Sequence, residues 1–306
     1  MIRLLLVRLL WCAAILLLVV SGSFFLVRLV PGGPFDQEKV SDPAIRANLM
    51  AAYDMDAPLG AQYARYLRNV VQGDFGPSLR YRDYSVNQIL AESLPISALL
   101  GSCALVVALT LGLAAGALAA ARRGSWIDTA VMGASALGIA VPSFVLAGLL
   151  VLLFAFQWRL FPVAGYGSPA QLVLPSIALG LPFAASIARL FRAGLLEVLG
   201  EDWIRTARAK GLAPRSVLWG HAARVALLPV VSFLGPATAG ILSGSLVVER
   251  VFAIAGMGSH FVDSAFNADY NLALGVVIVY TALVTLLNLL VDLAYRLLDP
   301  RIAAAA

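Results

Sequence analysis

The sequence predicts an all-α integral membrane protein with six transmembrane helices. Of its 306 residues, 61% are hydrophobic and 13% are charged, whereas soluble domains average about 45–50% apolar and about 25% charged residues. A membrane-spanning helix needs about 20 predominantly apolar residues, because the hydrocarbon core is about 30 Å thick. Six stretches meet this requirement, namely residues 9–30, 94–121, 130–156, 172–190, 226–248 and 272–293.

The basic residues predict how the chain is anchored and oriented. Arg3 and Arg8 resemble the start of a signal peptide, but the apolar run resumes at Phe24, so the first stretch is too long for one and is interpreted as an uncleaved anchor. Lys and Arg are concentrated in the loops between spans 2 and 3 and between spans 4 and 5, whereas the opposite short loops contain only Arg159 and Arg250. Because short basic loops stay in the cytoplasm, both termini are expected to be cytoplasmic.

Four regions follow from these spans. Residues 1–30 are expected to form an N-terminal transmembrane anchor, and residues 31–93 an extracytoplasmic loop that is long enough to fold locally. Residues 94–295 are expected to form a core of five transmembrane helices with a cytoplasmic loop at 191–225, followed by a cytoplasmic tail at 296–306.

Composition argues against several classes of function. The net charge of +5 comes from arginines beside the spans and not from a basic run with interleaved aromatics, so no nucleic-acid partner is expected. Cys12 and Cys103 lie in apolar stretches, and His221 and His260 have no neighbour at metal-ligand spacing. Neither a disulfide nor a metal site is therefore expected.

The interiors of spans 2 to 6 carry no charge until Arg189 and Asp292, near the predicted cytoplasmic ends. Ion-coupled carriers keep ionisable groups at mid-depth, so this pattern argues against a secondary transporter. Two glycine pairs have the spacing at which helices approach closely: Gly112 with Gly116, and Gly240 with Gly244. Five prolines are expected to favour kinks: Pro142, Pro175, Pro182, Pro229 and Pro236.

Residues 197–224, here called the hairpin segment, carry the most informative pattern. Acidic residues precede basic ones in the order that suits a helix dipole: Glu197, Glu201 and Asp202 before Arg205, Arg208 and Lys210. Gly211 is expected to end a first short helix in the left-handed conformation, and Pro214 to begin a second. A hairpin lying at the membrane surface, anchored by Trp203 and Trp219, is an open alternative on composition alone.

The hairpin segment resembles the cytoplasmic loop of ABC-importer permeases. The resemblance rests on the run from Asp202 to Leu212, then on His221, Arg224 and the Leu-Leu-Pro ending at Pro229. Four further runs agree: Pro31-Gly32-Gly33-Pro34-Phe35, Gly73-Asp74-Phe75-Gly76-Pro77-Ser78, Val248-Glu249 through Gly256-Met257-Gly258, and Asp299-Pro300-Arg301. Together they resemble the B-type permease subunit of oligopeptide and dipeptide importers, and the outer run up to Tyr84 favours the oligopeptide branch.

The sequence departs from the family's usual pattern in three places. ABC importers at large have Glu-Ala-Ala where this chain has Arg205-Thr206-Ala207, a replacement that is common in the peptide branch. Ala255 stands where the family usually has Pro, and Ala268 where it usually has Arg. The last two lie on the predicted outer face and therefore concern receptor contact.

The resemblance implies the type I ABC importer permease fold, in the bacterial inner membrane, and a transport subunit that is not an enzyme. It implies no catalytic, cofactor-binding or metal-binding residue in this chain, since ATP and Mg²⁺ would bind to two separate ATPase subunits. The implied partners are a second, homologous permease subunit in a heterodimer, those ATPases, an extracytoplasmic peptide-binding protein, the peptide and the lipid membrane. Neither lysine, Lys39 nor Lys210, follows a phosphate-binding glycine-rich pattern.

The resemblance also assigns site residues. The ATPase-coupling loop would comprise Asp202, Arg205, Thr206, Ala207, Arg208, Ala209, Lys210, Gly211, Leu212, His221 and Arg224. Arg205, Arg208, Lys210 and Arg215 would pair with acidic groups of the ATPase, while Ala207, Ala209 and Gly211 would permit close approach. The receptor-facing outer loop would comprise Glu249, Gly256, Met257, Gly258 and Asp269, with a tight turn at the glycines.

Three alternatives remain open. Sister importers for dipeptides, nickel or glutathione share these motifs. A membrane-embedded enzyme would need paired catalytic groups, yet the span serines have no His or Asp within their spans: Ser97, Ser102, Ser143 and Ser176. An ion channel would need a repeated filter or a charged ring, and neither is visible in the sequence.

Overall fold

A computed structural model describes residues 2–29, 57–81, 83–213 and 216–298. These residues are mostly helical, with an isolated antiparallel bridge between Pro77 and Ser85. The α-helices are α1 (Ile2–Leu29), α2 (Leu59–Val71), α3 (Val86–Ala121), α4 (Trp126–Ala140), α5 (Ser143–Leu150), α6 (Pro169–Val198), α7 (Asp202–Ala209), α8 (Ala223–Ala226), α9 (Leu228–Val251), α10 (Met257–Phe266) and α11 (Tyr270–Leu298). Two π-helical turns, Val151–Gln157 and Val217–Ala222, follow α5 and precede α8.

Some predictions fall on residues outside the described ranges. These are the Pro-Gly exit from the first span at 31–35, the helix start at Pro214, the pairing role of Arg215, and the tail beyond residue 298.

Of the helices that the structure describes, five are long and apolar enough to cross a membrane, namely α1, α3, α6, α9 and α11. They correspond to five of the six predicted spans, but several are longer than predicted. Helix α1 begins at Ile2 instead of residue 9, and α11 continues to Leu298 instead of residue 293. Helix α3 begins at Val86 instead of residue 94, and α6 continues to Val198 instead of residue 190. The added turns contain polar residues that are helical without being apolar, so a hydrophobicity window leaves them out.

The remaining predicted span, the third along the chain at 130–156, is broken. Helices α4 and α5 meet at an angle of 106°. Val141 is extended (φ −87°, ψ 123°), and Pro142 caps α5. A proline cannot donate the N–H that would continue α4, and it disfavours helical geometry in the residue before it. The sequence therefore placed the bend correctly but not its size.

The other four prolines do not interrupt helices. Pro175 and Pro182 lie within α6, and Pro236 lies within α9, each followed by further helical turns. Pro229 lies in the first turn of α9, where the missing N–H would have had no helical partner.

The chain divides into two compact units, one of Met1–Ser97 with Ala255–Thr285 and the other of Ala98–Ile254 with Leu286–Ala306. In the second unit, α6 is the central helix, and α4, α5, α8 and α9 pack against it. A capping arrangement fixes its start, since the Ser168 N–H donates to Gln171 Oε1 at 2.9 Å and Pro169 follows the cap.

Glycines let two helices approach α6 closely, as predicted. A Cβ atom at Gly112 of α3 would lie 2.8 Å from the Ala184 carbonyl oxygen, and one at Gly116 would lie 2.7 Å from the Ala188 carbonyl oxygen. On α9, a Cβ at Gly240 would lie 2.7 Å from the Phe183 ring. No residue larger than glycine fits these contacts without displacing a neighbour.

In the first unit, part of the predicted outer loop is helical. Helix α2 packs against α1, where the hydroxyl groups of Ser21 and Tyr63 are 2.6 Å apart. The Arg28 guanidinium lies 3.5 Å from the centre of the Phe24 ring, and its Nε donates to Gln62 Oε1 at 3.3 Å. A separate apolar cluster joins the start of α3 with α10 and α11: Val86, Ile89, Leu90, Met257, Leu272 and Val276.

Candidate functional site

The first helix of the hairpin segment, α7, has one buried and one exposed face. Ile204 is fully buried and Ala207 is 8% exposed. Both belong to an apolar cluster that includes Phe191 and Leu195 of α6 and Ala226 of α8. The remaining side chains are exposed, namely Asp202, Trp203, Arg205, Thr206, Arg208 and Ala209. The helix thus presents a charged face to its surroundings while its apolar face is part of the core of the unit.

Gly211 has the predicted left-handed conformation, with φ of +78°. Its N–H donates to the Arg208 carbonyl oxygen at 2.9 Å, and the Leu212 N–H donates to that of Ala207 at 3.4 Å. A Cβ at Gly211 would meet no atom within 4 Å, so the constraint on this position is the backbone angle alone. An L-residue in this conformation costs about 1 kcal/mol or more.

The remaining predicted coupling residues divide into exposed and buried ones. Lys210, Leu212, His221 and Arg224 are exposed, as a docking surface requires. Ala207 is not, so the expectation that it permits close approach by a partner is wrong, because its side chain packs inside its own unit. Among the described residues of the second part of the segment, Val217–Ala222 are π-helical.

An ion pair forms within α7, and the interfacial alternative also has its aromatic residues in place. Arg205 Nη1 lies 3.2 Å from Asp202 Oδ1, but both side chains are largely solvated, so the pair contributes little stability. Trp203 and Trp219 are 41% and 56% exposed. The fold is therefore compatible with contacts to a protein or to a membrane surface.

The residues predicted to face a receptor are buried, which corrects that expectation. Glu249 and Met257 are fully buried and Asp269 is 1% exposed. Gly256 and Gly258 are buried as well. The tight turn is also elsewhere: Gly256 has φ of −92° at the start of α10, whereas the left-handed residues nearby are Ala253 (φ 48°) and Ala268 (φ 52°). The predicted receptor-facing residues therefore lie inside the fold.

Asp269 is the centre of a polar cluster, here called the latch. Its carboxylate accepts hydrogen bonds from the Ser78 hydroxyl and from the backbone N–H groups of Leu79 (3.1 Å), Arg80 (3.3 Å) and Leu272 (3.2 Å). The Ser78 oxygen in turn accepts from the Tyr81 N–H at 2.9 Å. The latch joins the loop before α3 to the start of α11, two segments about 190 residues apart in the sequence.

The Gly-Asp-Phe-Gly run that precedes Ser78 has a structural explanation. Gly73 and Gly76 have φ of +77° and +83°. Between them, Asp74 Oδ1 accepts from the Gly76 N–H, and Asn87 Oδ1 accepts from the Phe75 N–H, both at 2.9 Å. The run forms a turn that positions Ser78 for its hydrogen bond to Asp269. The resemblance alone did not indicate this role.

His260 of α10 lies beside the loop before α3, with its ring 6.3 Å from that of Tyr81. Burial lowers the pKa of His260, and the nearby carboxylates of Asp263 and Glu92 act in the opposite direction with less effect. The imidazole is therefore neutral at pH 7. Within the described ranges, no three His, Cys, Asp or Glu residues lie close enough together to hold a metal ion.

A further ion pair, not anticipated from the sequence, links α4 to α6. Arg192 Nε and Nη2 donate to the two carboxylate oxygens of Asp128 at 2.6 and 2.7 Å, and the Gly124 N–H donates to Oδ2 at 3.0 Å. Asp128 is 5% exposed. The two residues are 64 positions apart, so no short motif could have revealed the pair.

Comparison with known proteins places these features in a family. Residues 112–304 match the family described as the binding-protein-dependent transport system inner membrane component. The chain is 45% identical over 290 residues to a dipeptide transport system permease protein of Bacillus subtilis, covering 95% of this chain and 94% of that one. It is 43% identical over 304 residues to an oligopeptide transport system permease protein of Escherichia coli, covering 99% of both chains.

Solved structures support the fold. A chain of the inward-facing MetNI methionine ABC transporter superposes with a TM-score of 0.53 at 21% identity, covering 69% of this chain and 95% of that chain. A second crystal form of the same transporter gives a TM-score of 0.55 at 17% identity. The likeness concerns the arrangement of helices.

Proposed function

Because the chain belongs to the family of binding-protein-dependent transport system inner membrane components, we propose that it is one of two permease subunits of an ATP-driven importer that carries oligopeptides across a bacterial inner membrane. The observation that carries the proposal is the similarity, over nearly the whole chain, to permeases named for oligopeptide and dipeptide transport. Dipeptides are the second candidate substrate, because a dipeptide permease is as similar as the oligopeptide ones.

ATP hydrolysis takes place on two separate ATPase subunits, which dock on the hairpin segment. The exposed cations of α7 and its turn, Arg205, Arg208 and Lys210, pair with acidic groups of the ATPase. Ala209, with a single methyl group, and Gly211, with no side chain, are exposed and allow the partner to approach closely. This assignment requires the hairpin segment and both termini to lie in the cytoplasm, as the arginine distribution predicts.

On the outer side, an extracytoplasmic peptide-binding protein delivers the substrate. The buried latch residues hold the loop in shape, and exposed side chains nearby make the contact. Tyr84, in the loop before α3, is 52% exposed, and Phe266, at the end of α10, is 74% exposed. Large exposed aromatic side chains are typical anchors of protein interfaces, so these two are the candidate receptor contacts.

Uptake into proteoliposomes tests the function. The chain is reconstituted with a second permease, wild-type ATPases and the receptor, and uptake of a labelled oligopeptide is measured with and without ATP. Uptake that requires both ATP and receptor supports the proposal, and an ATPase variant that binds but does not hydrolyse ATP is the control. Competition by dipeptides, nickel or glutathione identifies the solute class, and efficient uptake of one of these with none of oligopeptides would contradict the proposed substrate.

A further inference from the structure

The second unit contains a cleft of about 800 Å³ lined by α4, α6 and α9. Its walls are largely apolar and include Met132 and Ile139 from α4 and Phe233 from α9. Two arginines of α6, Arg189 and Arg192, are the charged residues that line it. The volume falls within the range of about 300–1,000 Å³ that is usual for small-ligand sites.

The two arginines are in different chemical situations. The Arg192 guanidinium donates two short hydrogen bonds to Asp128 and is therefore committed to that carboxylate. Arg189 is exposed in the cleft and has neither a hydrogen bond nor an ion pair with any described residue. In the described part of the chain, the cleft therefore has a single uncommitted cation.

Arg189 lies towards the C-terminal end of α6. It lies nine residues before the end of α6, about 14 Å along the helix at 1.5 Å per residue, within a helix that is apolar enough to span the membrane. This places it at the end of the predicted span 172–190, where a long charged side chain can reach water, and it lines the cleft. Packing does not explain the residue, because its side chain is exposed.

The geometry points to Arg189 as a binding residue for the C-terminal carboxylate of a peptide that passes through the cleft; this inference rests on the proposed function. A guanidinium matches a carboxylate through two parallel N–H donors. Every linear peptide has one C-terminal carboxylate whatever its side chains, so a single arginine recognises the substrate class without selecting a sequence. The apolar walls accept varied side chains, and the exposed position of Arg189 keeps the contact weak enough for release.

Paired substrates separate this role from a structural one. The complete transporter is reconstituted with wild-type chain, Arg189→Gln, Arg189→Lys or Arg122→Gln, the last being an exposed arginine outside the cleft with the same change in charge. Each preparation is given one peptide as the free acid and as the C-terminal amide, at concentrations that saturate the receptor with either form. The readout is uptake per reconstituted complex.

We expect Arg189→Gln to lower uptake of the free acid about tenfold, the effect of losing a hydrogen-bonded charge partner, and to leave uptake of the amide unchanged. Arg189→Lys should retain part of the preference for the acid, and Arg122→Gln all of it. Equal loss for both forms would overturn the inference and indicate pairing with a lipid headgroup or the second permease. Unchanged uptake of both forms by Arg189→Gln would also overturn it. A wild-type complex that imports neither form would instead refute the proposed function itself, and the inference with it.

Discussion

Replacing Asp269 with alanine should open the latch locally. Its carboxylate accepts four hydrogen bonds, and the Arg80 N–H keeps a second acceptor, the Ser78 oxygen at 3.2 Å. The N–H groups of Leu79 and Leu272 have Asp269 as their acceptor and would lose it in a buried site. Each unsatisfied buried donor costs about 1–3 kcal/mol, so the loss of an acceptor for two of them should destabilise the latched state by about 2–6 kcal/mol.

Hydrogen exchange measures this destabilisation at the backbone amides that the latch protects. A loss of 2 kcal/mol corresponds to an increase of about 30-fold in the exchange rate of amides protected by the latch, because 1.4 kcal/mol is a factor of ten. Asp269→Asn keeps one acceptor oxygen and should give a smaller increase. Asp83→Ala is the matched control, since this exposed carboxylate has no described partner. Exchange at Leu79 and Leu272 that is no faster in Asp269→Ala than in this control would refute the reasoning.

Three further experiments test other contacts. Gly112→Ala should lower the free energy of unfolding by about 1–3 kcal/mol, because its Cβ would lie 2.8 Å from a backbone oxygen, whereas Gly133→Ala, with no atom within 4 Å, should change the thermal midpoint little. In a double-mutant cycle, Asp128→Asn and Arg192→Gln should show a coupling energy of about 1–3 kcal/mol, and additive effects would mean that the pair does not stabilise the fold. Gly211→Val should insert normally but co-purify with less ATPase at equal amounts of permease, because φ of +78° strains the new side chain; full retention of the ATPase would contradict the docking role.

The sequence predicted the spans because lipid imposes a strong pattern on composition. A run of about 20 apolar residues is visible without knowledge of any contact. The left-handed conformation of Gly211 was predictable in the same way, because a glycine directly after a helix commonly adopts it. The bend at Pro142 was also a local prediction. Its size, 106°, depends on how α4 and α5 pack against α6, and that packing is not encoded in a short window.

The burial of the site residues was harder to predict from the sequence than the positions of the spans. The motif around Gly256 and Asp269 did not reveal the direction in which its side chains point, and the structure turns them inward. The same holds for Ala207 on α7. The ion pair of Asp128 with Arg192 and the latch of Ser78 with Asp269 join residues that are far apart in the sequence. Such pairs become visible only when the helices are assembled.

The seating of α7 has a mechanical consequence. A flexible loop that is attached only at its ends transmits pulling forces but not pushing forces. Helix α7 is instead inserted into the core through Ile204 and Ala207, in the same cluster as residues of α3, α6 and α9. An inserted helix transmits pushing and twisting as well as pulling. In the proposed complex, an ATPase bound to the exposed face of α7 would therefore transmit both pushing and pulling to the core of this unit.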